Sequence, residues 1–154
     1  EVHIDDAELI PFIKKAADLP GYEIFRYRDE SGSFQDIDSE DVNEYIANFM
    51  DEKFSSKDFR TWAGSRLAVE FYPQALENQK KGSRKKFSNI VVKMVAEELG
   101  NTPTVCRSYY VHPSIFGKID KKELPNPNPF SDSRSKYGLT ASEKLAKEVI
   151  KESY

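Results

Sequence analysis

Residues 99–113 read LGNTPTVCRSYYVHP, and the reading of this stretch decides the fold class. Gly100 closes the apolar-periodic run FSNIVVKMVAEEL that begins at Phe87, because glycine accepts the left-handed backbone that ends a helix. Thr102-Pro103 then reopens a helix, with threonine as N-cap and proline at the first helical position, where its missing N–H costs little. The restarted segment ends on two adjacent tyrosines. Tyr109 stands four residues after Val105 and Tyr110 four after Cys106, so helical spacing does not choose which phenol packs and which is free for chemistry.

Helical signals continue outward. Asp5-Asp6 opens AELIPFIKKAADL, which stops at Leu19-Pro20-Gly21. Ser39 is the expected cap of EDVNEYIANFMDEKF, whose Val42, Tyr45, Ile46 and Phe49 form one stripe. Ser56 is the expected cap of KDFRTWAGSRLAVEFY, which Pro73 should interrupt. Thr140 and Glu143 form a capping box for ASEKLAKEVIKES. One β signal stands apart: YEIFRYRD and SFQDI flank Glu30-Ser31-Gly32 as a hairpin with a glycine turn. Residues 118–137 read as a Pro/Asn-rich loop and NQKKGSRKK as a polar, basic connector. The expected fold is mainly α with one small β-hairpin.

Composition narrows the function. A chain of 154 residues, 38% hydrophobic with ten Phe and eight Tyr, can build a real core. One cysteine excludes an internal disulfide and fits a reducing compartment; with only two distant histidines it does not suggest a zinc site. No apolar run approaches the ~20 residues of a membrane span, and no signal-peptide pattern opens the chain. The first residue is Glu1 rather than Met, which reads as a cut within a longer polypeptide. The net charge of −3 hides an asymmetry: residues 1–52 carry 4 basic and 15 acidic side chains, residues 53–107 carry 11 and 5, and residues 108–154 carry 8 and 6. The basic middle third is the local exception to an acidic chain.

No G-x-x-x-x-G-K loop supports nucleotide-driven chemistry, and the acidic first third reads as solvated faces. Arg60, in KDFRTWAGSRLA, shares its helix with Phe59, Trp62 and Ala63. It can snorkel, or be held by those neighbours with its fork aimed at a phosphate. Lys57, one turn earlier, makes a small cationic patch with it. Lys80–Lys86 places five Lys/Arg in seven positions, which suits a solvated loop or sequence-independent phosphate contact.

Taken together, LPGYEIFRYRDESG, SSKDFRTWAGSRLA and VAEELGNTPTVCRSYYVHPSIF resemble the C-terminal part of the type IB DNA topoisomerase catalytic domain, of the compact bacterial and poxvirus-like kind. The resemblance covers roughly residues 1–117. It implies that residues 1–154 are the C-terminal portion of that domain, with the N-terminal DNA-clamping domain, an upstream arginine and a hairpin lysine lying before Glu1, and that this piece alone is a poor catalyst. It places the K-x-x-R-T arginine on Arg60, the His-or-Asn position on Asn101, and the nucleophile on Tyr110, in Tyr110-Val111-His112-Pro113. Tyr109 then becomes a packing neighbour. The implied partner is double-stranded DNA, contacted by Lys57, Arg84, Lys85, Lys86 and Arg107. The implied protein is monomeric, cytoplasmic and nucleoid-associated, and needs no cofactor, ATP or metal. Asn101 stands where many relatives carry histidine; its amide donates a hydrogen bond without charge, so activity should not titrate through it near neutral pH.

Two rival readings share these residues. A tyrosine recombinase keeps the Arg, Leu-Gly-His and Tyr order, although Lys57 stands where recombinases usually carry histidine. A non-catalytic DNA-binding domain of the same fold is the other, against which stands the joint presence of Arg60, Asn101 and Tyr110.

Overall fold

The computed structural model describes residues 4, 6–50, 54–79, 86–127 and 138–154. The chain is mainly helical with one two-stranded antiparallel hairpin, and it divides into units of residues 1–56 and 57–154.

In the first unit, α1 (Ile10–Ala17) is followed by β1 (Arg26–Arg28), β2 (Phe34–Asp36) and α2 (Ser39–Phe49). The strands pair in the register Arg26↔Asp36, Tyr27↔Gln35, Arg28↔Phe34. Asp29 organises the turn between them. Its carboxylate accepts from the Ser31 hydroxyl (2.6 Å), the Gln35 amide (2.9 Å) and the Ser33 N–H (2.9 Å). Gly32 takes φ +85°, as the left-handed residue of such hairpin loops must. The cap of α2 is Asp38, not the expected Ser39: its Oδ1 accepts from the N–H groups of Glu40 (2.7 Å) and Asp41 (3.1 Å), and Asp41 Oδ2 accepts from the Asp38 N–H (2.9 Å). A carboxylate makes these bonds charge-assisted and suits the positive helix end better than a hydroxyl. The expected stripe on α2 exists as a pattern, but Tyr45 and Phe49 are exposed and stack on each other at 4.6 Å.

Among the described residues, every buried side chain belongs to the second unit. There α3 (Ser56–Asn78) contributes Leu67, Ala68, Val69, Tyr72 and Ala75 to the core. α4 (Phe87–Glu98) adds Phe87, Val91, Val92, Val95 and Ala96. α5 (Pro103–Val105) runs into a π-helical turn, Cys106–Tyr110, and α6 (Pro113–Lys121) and α7 (Ala141–Lys151) complete the set. Pro73 does not interrupt α3, which continues to Asn78. An interior proline costs about 3 kcal/mol, but Tyr72 and Ala75 on either side of it are buried, and burying an aromatic and its neighbours returns a comparable amount. α6 likewise reaches into the expected 118–137 loop, because Ile119 is fully buried; it ends at Lys122 in the left-handed conformation (φ 60°). The capping box of Thr140 and Glu143 opens α7 as expected.

The Asp29 carboxyl is held at about 2, below its ordinary 3.8, chiefly by the Ser31 hydroxyl, then by Gln35 and Ser33. A depressed carboxyl stabilises above its unfolded pKa and stops doing so as pH falls through the folded one. The hairpin should therefore loosen between pH 3.8 and about 2. The Gln35 side-chain and Ser33 backbone amide NMR signals should report it by moving toward random-coil shifts in that window; signals unchanged to pH 2 would remove Asp29 as organiser.

Candidate functional site

The site is assembled where α4 ends. Gly100 adopts φ +62°, the Asn101 N–H bonds back to the Ala96 carbonyl (2.8 Å) and the Gly100 N–H to Glu97 (3.3 Å). This paired closure leaves the Leu99 carbonyl for other donors. Two side chains take it: Arg60 Nη2 at 2.9 Å, from 39 residues away in sequence, and Asn101 Nδ2 at 3.0 Å. A guanidinium beside the negative end of a helix is also electrostatically favoured.

Tyr110 closes the third side. The Arg60 guanidinium lies over its ring, 5.4 Å from the centroid, a cation–π contact worth about 0.5–1 kcal/mol at a surface. Arg60 thus shares the Leu99 carbonyl with Asn101 and covers the Tyr110 ring, although 50 residues of chain separate it from that tyrosine. Lys57 stands over the neighbouring ring, with Nζ 5.4 Å from the Tyr109 centroid. Tyr109 is 61% exposed and so is not a packing neighbour; the half-buried tyrosine against the core is Tyr110. The extra residue in the π-helical turn takes the pair out of ideal helical spacing.

The turn itself is seated on α3. The Val111 N–H reaches back five residues to Cys106 O (3.1 Å), which widens the turn. The Thr61 hydroxyl, which donates to Lys57 O of its own helix (3.1 Å), also lies 3.4 Å from Tyr109 O, and the Ser65 hydroxyl, itself buried, accepts from the His112 N–H (3.1 Å). Between them Gly64 lies against the Tyr110 backbone so closely that a Cβ there would fall 2.4 Å from Tyr110 O. Cys106, the first residue of the turn, is fully buried; burial pushes its thiol pKa up, opposed by the charge of Arg60.

Two further contacts frame the site. Arg107 turns inward: Nη2 donates to Ser88 Oγ (3.1 Å) and Asn89 Oδ1 (2.9 Å), and Cζ sits 4.4 Å from the Phe116 ring centroid. Trp62, two residues after Arg60, donates from its indole N–H to Glu143 Oε1 (3.1 Å) on α7, while Glu143 Oε2 accepts from the Thr140 N–H (2.8 Å). Burial alone would raise the Glu143 carboxyl; the hydrogen bonds from Thr140 and Trp62, with the charge of Arg66, outweigh it and hold it low.

Thr61, Gly64, Ser65 and the Trp62–Glu143 pair are absent from the sequence reading. One signal for Gly64 was present: a glycine inside a helix costs about 1 kcal/mol and marks a close approach. Lys86 is exposed at the start of α4; Arg84 and Lys85, and the rest of the connector from Lys80, lie outside the described residues. Among the described residues no cluster of His, Cys, Asp or Glu is arranged to hold a metal ion, and no helix is long and apolar enough to cross a membrane.

The comparison with known families agrees with this architecture. The profile of the eukaryotic DNA topoisomerase I catalytic core matches residues 1–125. The chain belongs to that family: it is a helical type I topoisomerase domain whose substrate is DNA. α7 lies beyond the matched segment. No curated protein matches the chain.

Gly64→Ala should destabilise the protein by about 1–3 kcal/mol, the usual cost of overpacking, and should lift the turn that carries Tyr110. Thermal unfolding together with the Tyr110 ring shifts would read both; unchanged values would mean that the turn seats elsewhere. Glu143→Gln gives a second test. The Glu143 carboxylate stabilises above its ordinary 4.5 and loses that contribution as pH falls below it. The difference in Tm between wild type and Glu143→Gln should accordingly shrink from pH 6 toward pH 3; a constant difference would mean that the ionised carboxylate contributes nothing.

Proposed function

We propose that the chain relaxes DNA by the type IB route: transient cleavage of one strand through a 3'-phosphotyrosyl intermediate, rotation, and religation. The observation that carries this reading is that Arg60 shares the Leu99 carbonyl with Asn101 while its guanidinium lies over the Tyr110 ring. Two hydrogen-bond donors held beside one phenol suit a reaction in which a phenol attacks a phosphate.

In that reaction the Tyr110 oxygen forms a bond to phosphorus and gives up its proton, while the bond from phosphorus to the 5' oxygen breaks and that oxygen takes up a proton. The energy of the phosphodiester is kept in the phosphotyrosyl link, so the reverse attack by the 5'-hydroxyl reseals the strand without ATP. Charge gathers on the nonbridging oxygens in the transition state. Arg60 would clamp them through its fork, and the Asn101 amide would donate one neutral bond. Losing one such donor costs about 3 kcal/mol of transition-state stabilisation. For either side chain to serve, its bond to Leu99 must give way to a bond to phosphate. The exposed Lys57 and Lys86 suit sequence-independent phosphate contact, and Arg84 and Lys85 are assigned the same role.

The same reading takes residues 1–154 as the C-terminal portion of the catalytic domain of the compact bacterial and poxvirus-like subtype, acting as a monomer in the nucleoid. The nine-residue step from Asn101 to Tyr110, crossed by α5 and one π-helical turn, supports it.

The test uses the full gene product and a suicide DNA substrate, resolved on a denaturing gel. Wild type and Tyr109→Phe should form a DNA-linked band, and Tyr110→Phe should not. A band that survives in Tyr110→Phe, or no band from any folded version, would overturn the proposal.

A further inference from the structure

We propose that Arg107 is a positioning residue for the tyrosine turn rather than a DNA ligand; the proposal rests on Tyr110 being the nucleophile. Arg107 lies three residues before Tyr110 within the same π-helical turn. A guanidinium whose donors and face are taken up by protein groups has fewer of them left for a phosphate. This one is half-buried, with one face and one nitrogen engaged by the protein. Its face stacks on Phe116 of α6 at 4.4 Å, and one edge donates to Ser88 and Asn89 of α4.

The groups that hold it are themselves fixed. Ser88 is fully buried, and its hydroxyl donates to Asp120 Oδ2 of α6 at 3.0 Å. The Ser88 N–H donates to Asp120 Oδ1 at 2.9 Å. Asp120 thereby caps the start of α4 from another helix, where Lys86 offers no side-chain cap. The outcome is a chain of contacts, Asp120 to Ser88 to Arg107, that joins α4, α6 and the turn. The acid's charge also stands behind the hydroxyl on which the guanidinium bonds, and polarises it toward accepting from a cation.

The turn needs such an anchor. A π-helical turn is a rare, single-turn element, and on its α3 side it is held by a close Gly64 approach and the hydroxyls of Thr61 and Ser65. Arg107 restrains it from the opposite side. A nucleophile that must lie in line with a scissile phosphate is sensitive to this restraint, since a misplacement of about 1 Å can cost about 100-fold in rate.

The experiment separates positioning from phosphate binding. In the full gene product, Arg107→Gln and Arg107→Lys are compared with wild type for three quantities: the single-turnover rate of adduct formation at saturating suicide substrate, the Kd for uncleaved duplex DNA between 50 and 200 mM salt, and Tm. A positioning role predicts that both variants cleave about 10- to 100-fold more slowly, with the salt slope and Kd unchanged. Lysine should not rescue, because a point charge cannot replace a stacked planar fork. A phosphate ligand predicts the opposite pattern: Arg107→Gln lowers the salt slope by about 0.9 and Arg107→Lys restores binding and rate. That result overturns the proposal, as does a wild-type rate in both variants. Should both variants unfold, Asn89→Ala removes one exposed acceptor and should slow cleavage in the same direction without altering the salt slope; a wild-type rate there overturns the proposal. Tyr110→Phe is run alongside. Adduct formation by that variant would bring down the nucleophile assignment, whereas the salt slope still decides whether Arg107 touches DNA.

Discussion

The arrangement of the candidate site depends on one steric constraint, the absence of a side chain at Gly64. Because no Cβ is there, the backbone at Tyr110 can approach α3 to a distance that any other residue would block. Thr61 and Ser65, one on each side of that glycine, then reach the chain between Tyr109 and His112. Arg60 stands on the same helix, so the approach that seats the turn also brings the guanidinium over the Tyr110 ring. A looser contact would separate the two side chains without breaking any element of secondary structure.

The second unit is otherwise a helical core serving that contact. α4 contributes most through its two ends. Its start is capped by Asp120 from α6, and its closure at Gly100 leaves the Leu99 carbonyl for Arg60 and Asn101. α7, which lies outside the segment shared with the topoisomerase family, nevertheless bonds Trp62 through Glu143. The helix that carries Arg60 is thus braced by a part of the chain that the family match does not reach.

Much of this was legible in the sequence because it depends on local rules. The Gly100 stop, the Thr102-Pro103 restart and the Thr140/Glu143 cap each follow from residues a few positions apart, and the structure has all three. The trio of Arg60, Asn101 and Tyr110 was reached by resemblance, since spacing alone left the two tyrosines equal. What failed was decided over longer range or by competition. Pro73 sits inside α3 because core burial on both sides outweighs a local breaker. Asp38 displaces Ser39 as cap because two neighbouring residues could cap and the carboxylate is the stronger acceptor. The π-helical turn inserts one residue without leaving a pattern, and with it went the expectation that Tyr109 packs. The inward contacts of Arg107 were invisible for the same reason: a lone arginine in sequence does not disclose a stacked ring from α6.

Cys106 gives the buried side of the turn a further property. Its thiol is fully buried and kept protonated by that burial, and oxidants and alkylating agents attack the thiolate. In the closed protein the only sulfhydryl is therefore chemically silent. Alkylation requires that the packing around the start of the turn open first, and its rate reports that opening.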